Sequence, residues 1–306
     1  MRILFIFLDG IGLGADDPSA NPFARARMPT VERLLGGRRL VAPSAPTVAD
    51  NATLLALDAT LGVQGLPQSA TGQAVLLTGI NIPAQIGEHY GPKPNAAVSQ
   101  FLLNGNLFSE LGRIGRSASL LNAYPPRYFR SVLSGKRLYS SIPLAVTSAG
   151  IRLLDKDDLF AGRALSADFT GAAWVDMLGY PDAPVLTPDD AGKRLAQLSA
   201  AHDFSLFEYW STDYAGHKQD MPWALEQLET FDAVIQGVVS APRDDLLTLI
   251  TSDHGNMEDL ATRRHTDARV PALLIGPAAA RRSFADGLHD LTDVAPAIRK
   301  ILASPA

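Results

Sequence analysis

Three short apolar runs constrain this chain more than any other feature, because each stops at or near an acid or a histidine. "ILFIFL" (3–8) runs into Asp9-Gly10, "LLTLIT" (246–251) stops one residue before Asp253-His254, and "FSLFEYW" (204–210) is followed by "STDYAGHKQD". A continuous apolar run of this length fits a parallel strand buried on both faces. "PALLIG" (271–276) and the weaker "SASLLNA" (117–123) extend the set. Helical stretches alternate with these runs. Residues 188–202 open with Thr187 as N-cap and Pro188 in the first turn. Residues 222–239 carry apolar positions at helical spacing, and 292–302 close the chain with Thr292 as cap. Strands alternating with helices predict an α/β fold with a largely parallel central sheet flanked by helices.

Residues 124–187 break the rhythm, being rich in Pro, Gly, Ser and Arg without a long periodic element. We expect a small inserted cap or extended loops there, with residues 1–123 and 188–306 forming the core. Composition adds exclusions. A net charge of −5 leaves no basic footprint for nucleic acid. The absence of cysteine excludes disulfides, thiolate metal sites and a cysteine nucleophile. The opening "MRILFIFLDG" is too short for a signal-peptide core or a membrane span, so the expectation is a cytoplasmic protein that does not bind membrane. Nothing in the sequence fixes the oligomeric state.

In open parallel sheets ligands bind beyond the carboxyl ends of the strands. Asp9, Asp213, His217, Asp253 and His254 all fall there, and His265 lies just before "VPALLIG". Taken singly, each has an ordinary explanation as a turn, a cap or a solvated residue. Together they form a carboxylate and imidazole set, without thiolate, suited to two divalent ions, Mn²⁺ or Zn²⁺. "GLPQSATGQAVLLTG" (65–79) places Ser69 at a helix start, where free N–H groups and the helix dipole favour a phosphate. Ser69 is the candidate nucleophile and Thr71 the alternative.

These elements resemble the alkaline phosphatase superfamily, closest to the branch of cofactor-independent phosphoglycerate mutase and phosphopentomutase. "LDGIGLG", "QSATGQ", "DYAGH", "TSDHGNMED" and "RHTDARVP" resemble that branch's motifs in order. The resemblance implies an alkaline-phosphatase-like core and a phosphoserine or phosphothreonine intermediate. It also implies that Asp9, Ser69, Asp253 and His254 surround one ion while Asp213, His217 and His265 hold the other. Gln73 stands where those mutases have His, and no counterpart of their substrate-binding motifs is present in the short middle segment.

The expected chemistry is two-metal phosphoryl transfer on a small phosphorylated substrate. Hydrolysis of a phosphomonoester is favoured over a mutase reaction because a small cap closes a site less readily. Gln73, Arg127, Arg130 and Arg137 are candidate substrate contacts, with Lys136 and Arg152 further cations of the cap. His89 and Lys93, in "GEHYGPKPN", read as a surface loop or as the border of the site. Readings of another class are a metal-free serine esterase and a non-catalytic binding protein. The first lacks a G-x-S-x-G elbow around Ser69, and the second leaves a complete set of ligand-type residues without a purpose.

Overall fold

In the computed structural model, which describes residues 1–240 and 243–303, the first apolar run becomes the middle of a seven-stranded sheet. The strands are β1 (Arg2–Leu8), β2 (Thr47–Val48), β3 (Ala52–Leu57), β4 (Ala118–Leu120), β7 (Phe204–Tyr209), β8 (Leu246–Thr251) and β9 (Val270–Ile275). Two further short strands, β5 (Ala123–Tyr124) and β6 (Leu154–Asp155), pair separately. The order across the main sheet is β2-β3-β9-β8-β1-β7-β4. β4, β7, β1 and β8 run parallel, and β9, β3 and β2 add antiparallel pairings on one side. Residues 241–242 and 304–306, the last three of which close the expected core range, lie outside the described residues.

β7, β8 and β9 are buried along their whole length, as their largely apolar runs lead one to expect, with Ser205, Glu208, Thr248 and Thr251 buried among them. Alternation along β1 divides the core between the two faces of the sheet. Ile3, Phe5 and Phe7 pack with the helices Ser69–Thr78, Leu107–Arg113 and Val294–Ala303. Leu4, Ile6 and Leu8 pack with Pro188–Leu198 and Met221–Val239. Thr187 caps the Pro188–Leu198 helix through the N–H of Asp190. The cap expected at Thr292 is Asp290 instead: its carboxylate takes the Thr292 N–H at 2.7 Å, and a 3₁₀ turn at Leu291–Asp293 precedes the last helix. Asp fits there because its short carboxylate reaches the first free N–H groups.

Residues 124–187 hold four short helices besides β6. Ile142, Ala145 and Val146 join the same apolar cluster as Leu102 and Phe108. Leu159, Ala164, Trp174 and Ala183 form a small cluster of their own with Ala123. The Ser141 hydroxyl donates to the Ala70 carbonyl at 2.9 Å, which ties this segment to the helix that begins at Ser69. Among the described residues no helix is long and apolar enough to cross a membrane.

Candidate metal centre

Parallel register brings the strand ends together. Leu8 of β1 lies opposite Tyr209 of β7, and Phe7 lies opposite Thr251 of β8. Asp9, the helix Ser211–Lys218 with Asp213 and His217, and Asp253-His254 therefore leave the sheet at one edge. β9 is antiparallel to β8, so its beginning lies at that same edge. This is why His265 precedes its strand while the others follow theirs. Gly10 turns the chain after β1 at φ +67, and a Cβ there would stand 2.5 Å from Asp213 Oδ1. Only glycine meets both demands cheaply.

Ser69 is the first residue of its helix, and its Oγ lies 3.0 Å from His254 Nε2. His254 Nε2 is 3.4 Å from Asp9 Oδ1 and 3.6 Å from Asp253 Oδ2. Asp213 Oδ2 lies 3.3 Å from His217 Nε2, and Asp213 Oδ1 lies 3.7 Å from His265 Nε2. Two sets of donor atoms result, Asp213–His217–His265 and Asp9–Asp213–His254, with Asp213 shared. Asp253 sits beside the second set, receiving the Gly10 N–H and the Gln73 amide, each at 3.4 Å.

The Nδ1 atoms of the histidines face carbonyl oxygens. His217 Nδ1 is 2.7 Å from Arg263 O, His265 Nδ1 is 2.8 Å from Pro67 O, and His254 Nδ1 is 3.3 Å from Gly255 O. A carbonyl only accepts, so each Nδ1 carries the proton, and in the neutral ring Nε2 is left with its lone pair. His217 Nε2 and His265 Nε2 then face each other across 3.2 Å. Asp9 Oδ1 is buried without a hydrogen-bond partner. Lone pairs and carboxylates converging this way fit divalent cations.

Electrostatics agrees. Burial, then the neighbouring Asp253 and Asp213, pushes the Asp9 carboxyl well above its ordinary range. Burial and Asp213 also push Asp253 up. Burial, with His265 beside it, depresses His254 to about 3. Burial opposes ionisation of Asp213, but the neighbouring imidazoles of His217 and His254 and the hydrogen bond from Asn256 outweigh it and hold its pKa low. The described ion-pair contacts of these three carboxylates are all to histidine. A pair of buried acids without a fixed cation is costly.

Thr71 is fully buried, and its Oγ1 is engaged with Gln68 O at 3.1 Å and the Tyr90 N–H at 3.2 Å. It binds the 88–91 loop to the helix rather than facing Asp9. Arg127 and Arg130 lie exposed on the helix Pro126–Leu133, and Arg137 stacks over the Tyr128 ring at 4.8 Å. Lys136 is exposed nearby. Arg152 is held by Asp158 at 2.5 and 2.8 Å. A cleft of about 520 Å³ reaches the centre, lined by loops 64–68 and 88–91 with His217, Arg264 and His265. His89 lines it, and its ring reaches Thr60 O at 3.1 Å.

Three polar residues of the site escaped the sequence reading. Asn256 donates to Asp213 Oδ1 at 2.6 Å. Glu258 accepts the Gly12 and Asn256 N–H groups at 2.8 Å each, and the Thr266 hydroxyl. Glu208, whose carboxyl burial pushes up to about 7, sits near the end of β7 beside the Tyr124 hydroxyl. The signal for Glu208 was an acid inside an apolar strand run. Asn256 and Glu258 were visible within "SDHGNMED", but only as neighbours of the ligands.

The sheet, its flanking helices and the converging acids and imidazoles define an alkaline phosphatase-like metalloenzyme fold. Residues 188–306 match the family model of the Metalloenzyme superfamily. Together these give the chain an alkaline phosphatase-like fold whose C-terminal part matches that family. Its structure resembles the alkaline phosphatase of the Antarctic bacterium TAB5 with a TM-score of 0.54, covering 100% of this chain and 98% of that one at 12% identity. The Leishmania mexicana phosphoglycerate mutase gives 0.50, with 100% and 96% covered at 10% identity. In sequence, the chain is 36% identical over 112 residues to the 2,3-bisphosphoglycerate-independent phosphoglycerate mutase of Desulforudis audaxviator, which is 34% of this chain and 21% of that protein. It is 39% identical over 77 residues to the phosphopentomutase of Methylobacterium radiotolerans, 23% of this chain and 19% of that protein. The matched stretch thus spans about a fifth of each relative's own length.

Proposed function

We propose that this protein is a two-metal phosphoryl-transfer enzyme with Ser69 as nucleophile. Asp9, Ser69, Asp253 and His254 would hold one divalent ion and Asp213, His217 and His265 the other, with Asp213 near both. Bound there, Mn²⁺ or Zn²⁺ would lower the pKa of the serine hydroxyl and neutralise phosphoryl charge. The observation that carries the reading is the Ser69 hydroxyl, 3.0 Å from His254 Nε2 at the start of a helix and facing the Asp and His cluster.

The chain's own groups set the reaction up. Thr71 N–H is given to Tyr90 O and Gly72 N–H to Gln68 O. Among the described residues no acceptor holds the N–H groups of Ser69 and Ala70, which leaves them to receive phosphoryl oxygens. Ser69 Oγ attacks phosphorus, the Oγ–P bond forms, and the ester P–O bond breaks on the opposite side. The free alcohol takes up a proton as it leaves. Water then cleaves phospho-Ser69 to inorganic phosphate and restores the hydroxyl. We favour hydrolysis over a mutase reaction because the rim of the cleft, Gln64, Gly65, Glu88 and Arg264, is exposed and admits water. The mutase reading draws on the names of the sequence relatives. Segment 124–187 we read as a cap over a core of 1–123 and 188–306.

A triad esterase is disfavoured by one contact. The base of a triad needs a carboxylate on Nδ1, and His254 Nδ1 meets Gly255 O. The test is release of inorganic phosphate from sugar phosphates, phosphoglycerates and p-nitrophenyl phosphate by protein loaded with Mn²⁺ or Zn²⁺. We expect release that EDTA stops and that Ser69→Ala lowers on the order of 10³-fold or more. Release untouched by EDTA would sink the metal reading. Isomerised phosphoglycerate or pentose phosphate without net phosphate would establish the mutase instead.

A further inference from the structure

The cleft beside His217 and His265 lies on a chemically defined side of the site. In an in-line displacement the attacking and departing oxygens stand on opposite sides of phosphorus. On the proposed division of the ligands, Ser69 belongs with His254, which leaves Asp213, His217 and His265 to face the departing alcohol. The cleft of about 520 Å³ opens there, and its lining comes from 64–68, 88–91, His217, Arg264 and His265 rather than from the 124–187 segment. Two contacts bind its walls to the site. Pro67 O receives the His265 Nδ1 proton at 2.8 Å, and a Cβ on Gly91 would lie 3.0 Å from Gln68 Cβ and 3.3 Å from the Ser69 nitrogen.

The lining is hydrophilic. Gln64 and Gln68 offer amides, and Glu88 offers an acceptor at the rim. Arg264 is exposed in this wall, and no carboxylate lies within ion-pair distance of its guanidinium among the described residues. Its neighbour Arg263 points elsewhere, onto Gln219 Oε1 at 2.9 Å. An unpaired guanidinium on the departing side recognises carboxylate or phosphate in its fork geometry. The geometry points to this cleft as the leaving-group subsite and to Arg264 as its specificity-determining residue, selecting phosphate esters whose alcohol carries a second anionic group. The inference rests on the phosphoryl-transfer reading above.

Binding of unreactive phosphonates tests it separately from turnover. Calorimetry on the Mn²⁺-loaded protein, freed of excess ion, compares 3-phosphonopropionate with propylphosphonate, which differ by a carboxylate against a methyl group. We expect the carboxylate to tighten binding about tenfold, Arg264→Gln to bring the ratio near one, and Arg263→Gln to preserve it. Ethane-1,2-diphosphonate identifies the anion: a preference for it that Arg264→Gln removes supports the subsite with a second phosphoryl group. Equal binding in the wild type, or a preference that survives Arg264→Gln, overturns the proposal. If phosphate release depends on Ser69 while the preference is absent, the subsite alone fails. If the preference stands without release from any ester, the transfer reading fails and the leaving-group assignment fails with it, leaving only an anion-binding cleft at Arg264.

Discussion

Glu258 joins three loops through one carboxylate. Oε2 takes the N–H of Gly12, after β1, and of Asn256, after β8, while Oε1 takes the hydroxyl of Thr266, before β9. Those loops carry Asp9, Asp253, His254 and His265. Glu258→Ala would leave two buried N–H groups unsatisfied, a cost of about 1–3 kcal/mol each. Loops free to shift should also weaken Mn²⁺ binding by about 10–100-fold, the usual effect of losing the partners that orient ligands. Glu258→Gln should restore most of both, because its oxygen can keep the two N–H bonds while its NH₂ donates to Thr266. Urea unfolding and Mn²⁺ titration separate these outcomes; a glutamine variant as weak as alanine would show that charge, not loop register, is what Glu258 supplies. At this scale all the Asp and His positions expected from the sequence gather at one sheet edge. The sequence puts Ser69 before Thr71 only through the resemblance; that the Thr71 hydroxyl is drawn to Tyr90, nineteen residues away, no local pattern encodes.

The elements that hold the site meet at unusually small residues. The helices Pro188–Leu198 and Met221–Val239 cross where a Cβ on Gly192 would lie 1.9 Å from Val234 O, and one on Gly237 would lie 2.0 Å from Asp189 O. Gly192→Ala must therefore push the two backbones apart, and overpacking of this kind costs about 1–3 kcal/mol. A lowered urea midpoint is the expected result, and an unchanged one would mean the crossing is looser than its geometry. In the 124–187 segment, Asp158 is buried and receives Arg152, Arg163 and the Asp155 N–H. Its largest influence, the hydrogen bond from Arg152, holds its carboxyl well below the ordinary range. A depressed acid stabilises the fold above its unfolded pKa, and the contribution fades as pH falls toward the folded value. Asp158→Asn should thus unfold more easily than wild type at pH 7, with the gap narrowing below about pH 4; a gap independent of pH would refute the ion-pair account. Apolar runs made β1, β7, β8 and β9 legible. β3, "ATLLAL", went unnoticed because it lies among Pro and Asp residues that read as loop, and β9's reversal depends on pairing with β8, which no local pattern encodes.

Across the whole molecule the proposed ligands run from Asp9 to His265, so a bound ion would tie together β1, β7, β8, the entry to β9 and the Ser69 helix. None of that arrangement survives unfolding, and an ion that binds only the native state stabilises it by mass action. At a free concentration one hundred times the dissociation constant, the gain is about 2.7 kcal/mol per site. Two circumstances sharpen the expectation here. Burial and neighbouring carboxylates raise the proton affinity of both Asp9 and Asp253, and His217 and His265 turn lone pairs toward one another. Removing the ions therefore leaves repulsion inside the core rather than neutral space. EDTA-treated protein should melt lower than the Mn²⁺-loaded form, with a midpoint that climbs with the logarithm of free Mn²⁺. Asp213→Asn, which weakens the acid near both donor sets, should flatten that climb more than Asp253→Asn does. A melting temperature indifferent to millimolar Mn²⁺ and Zn²⁺ would mean that these seven residues hold no ion, whatever phosphate the protein releases.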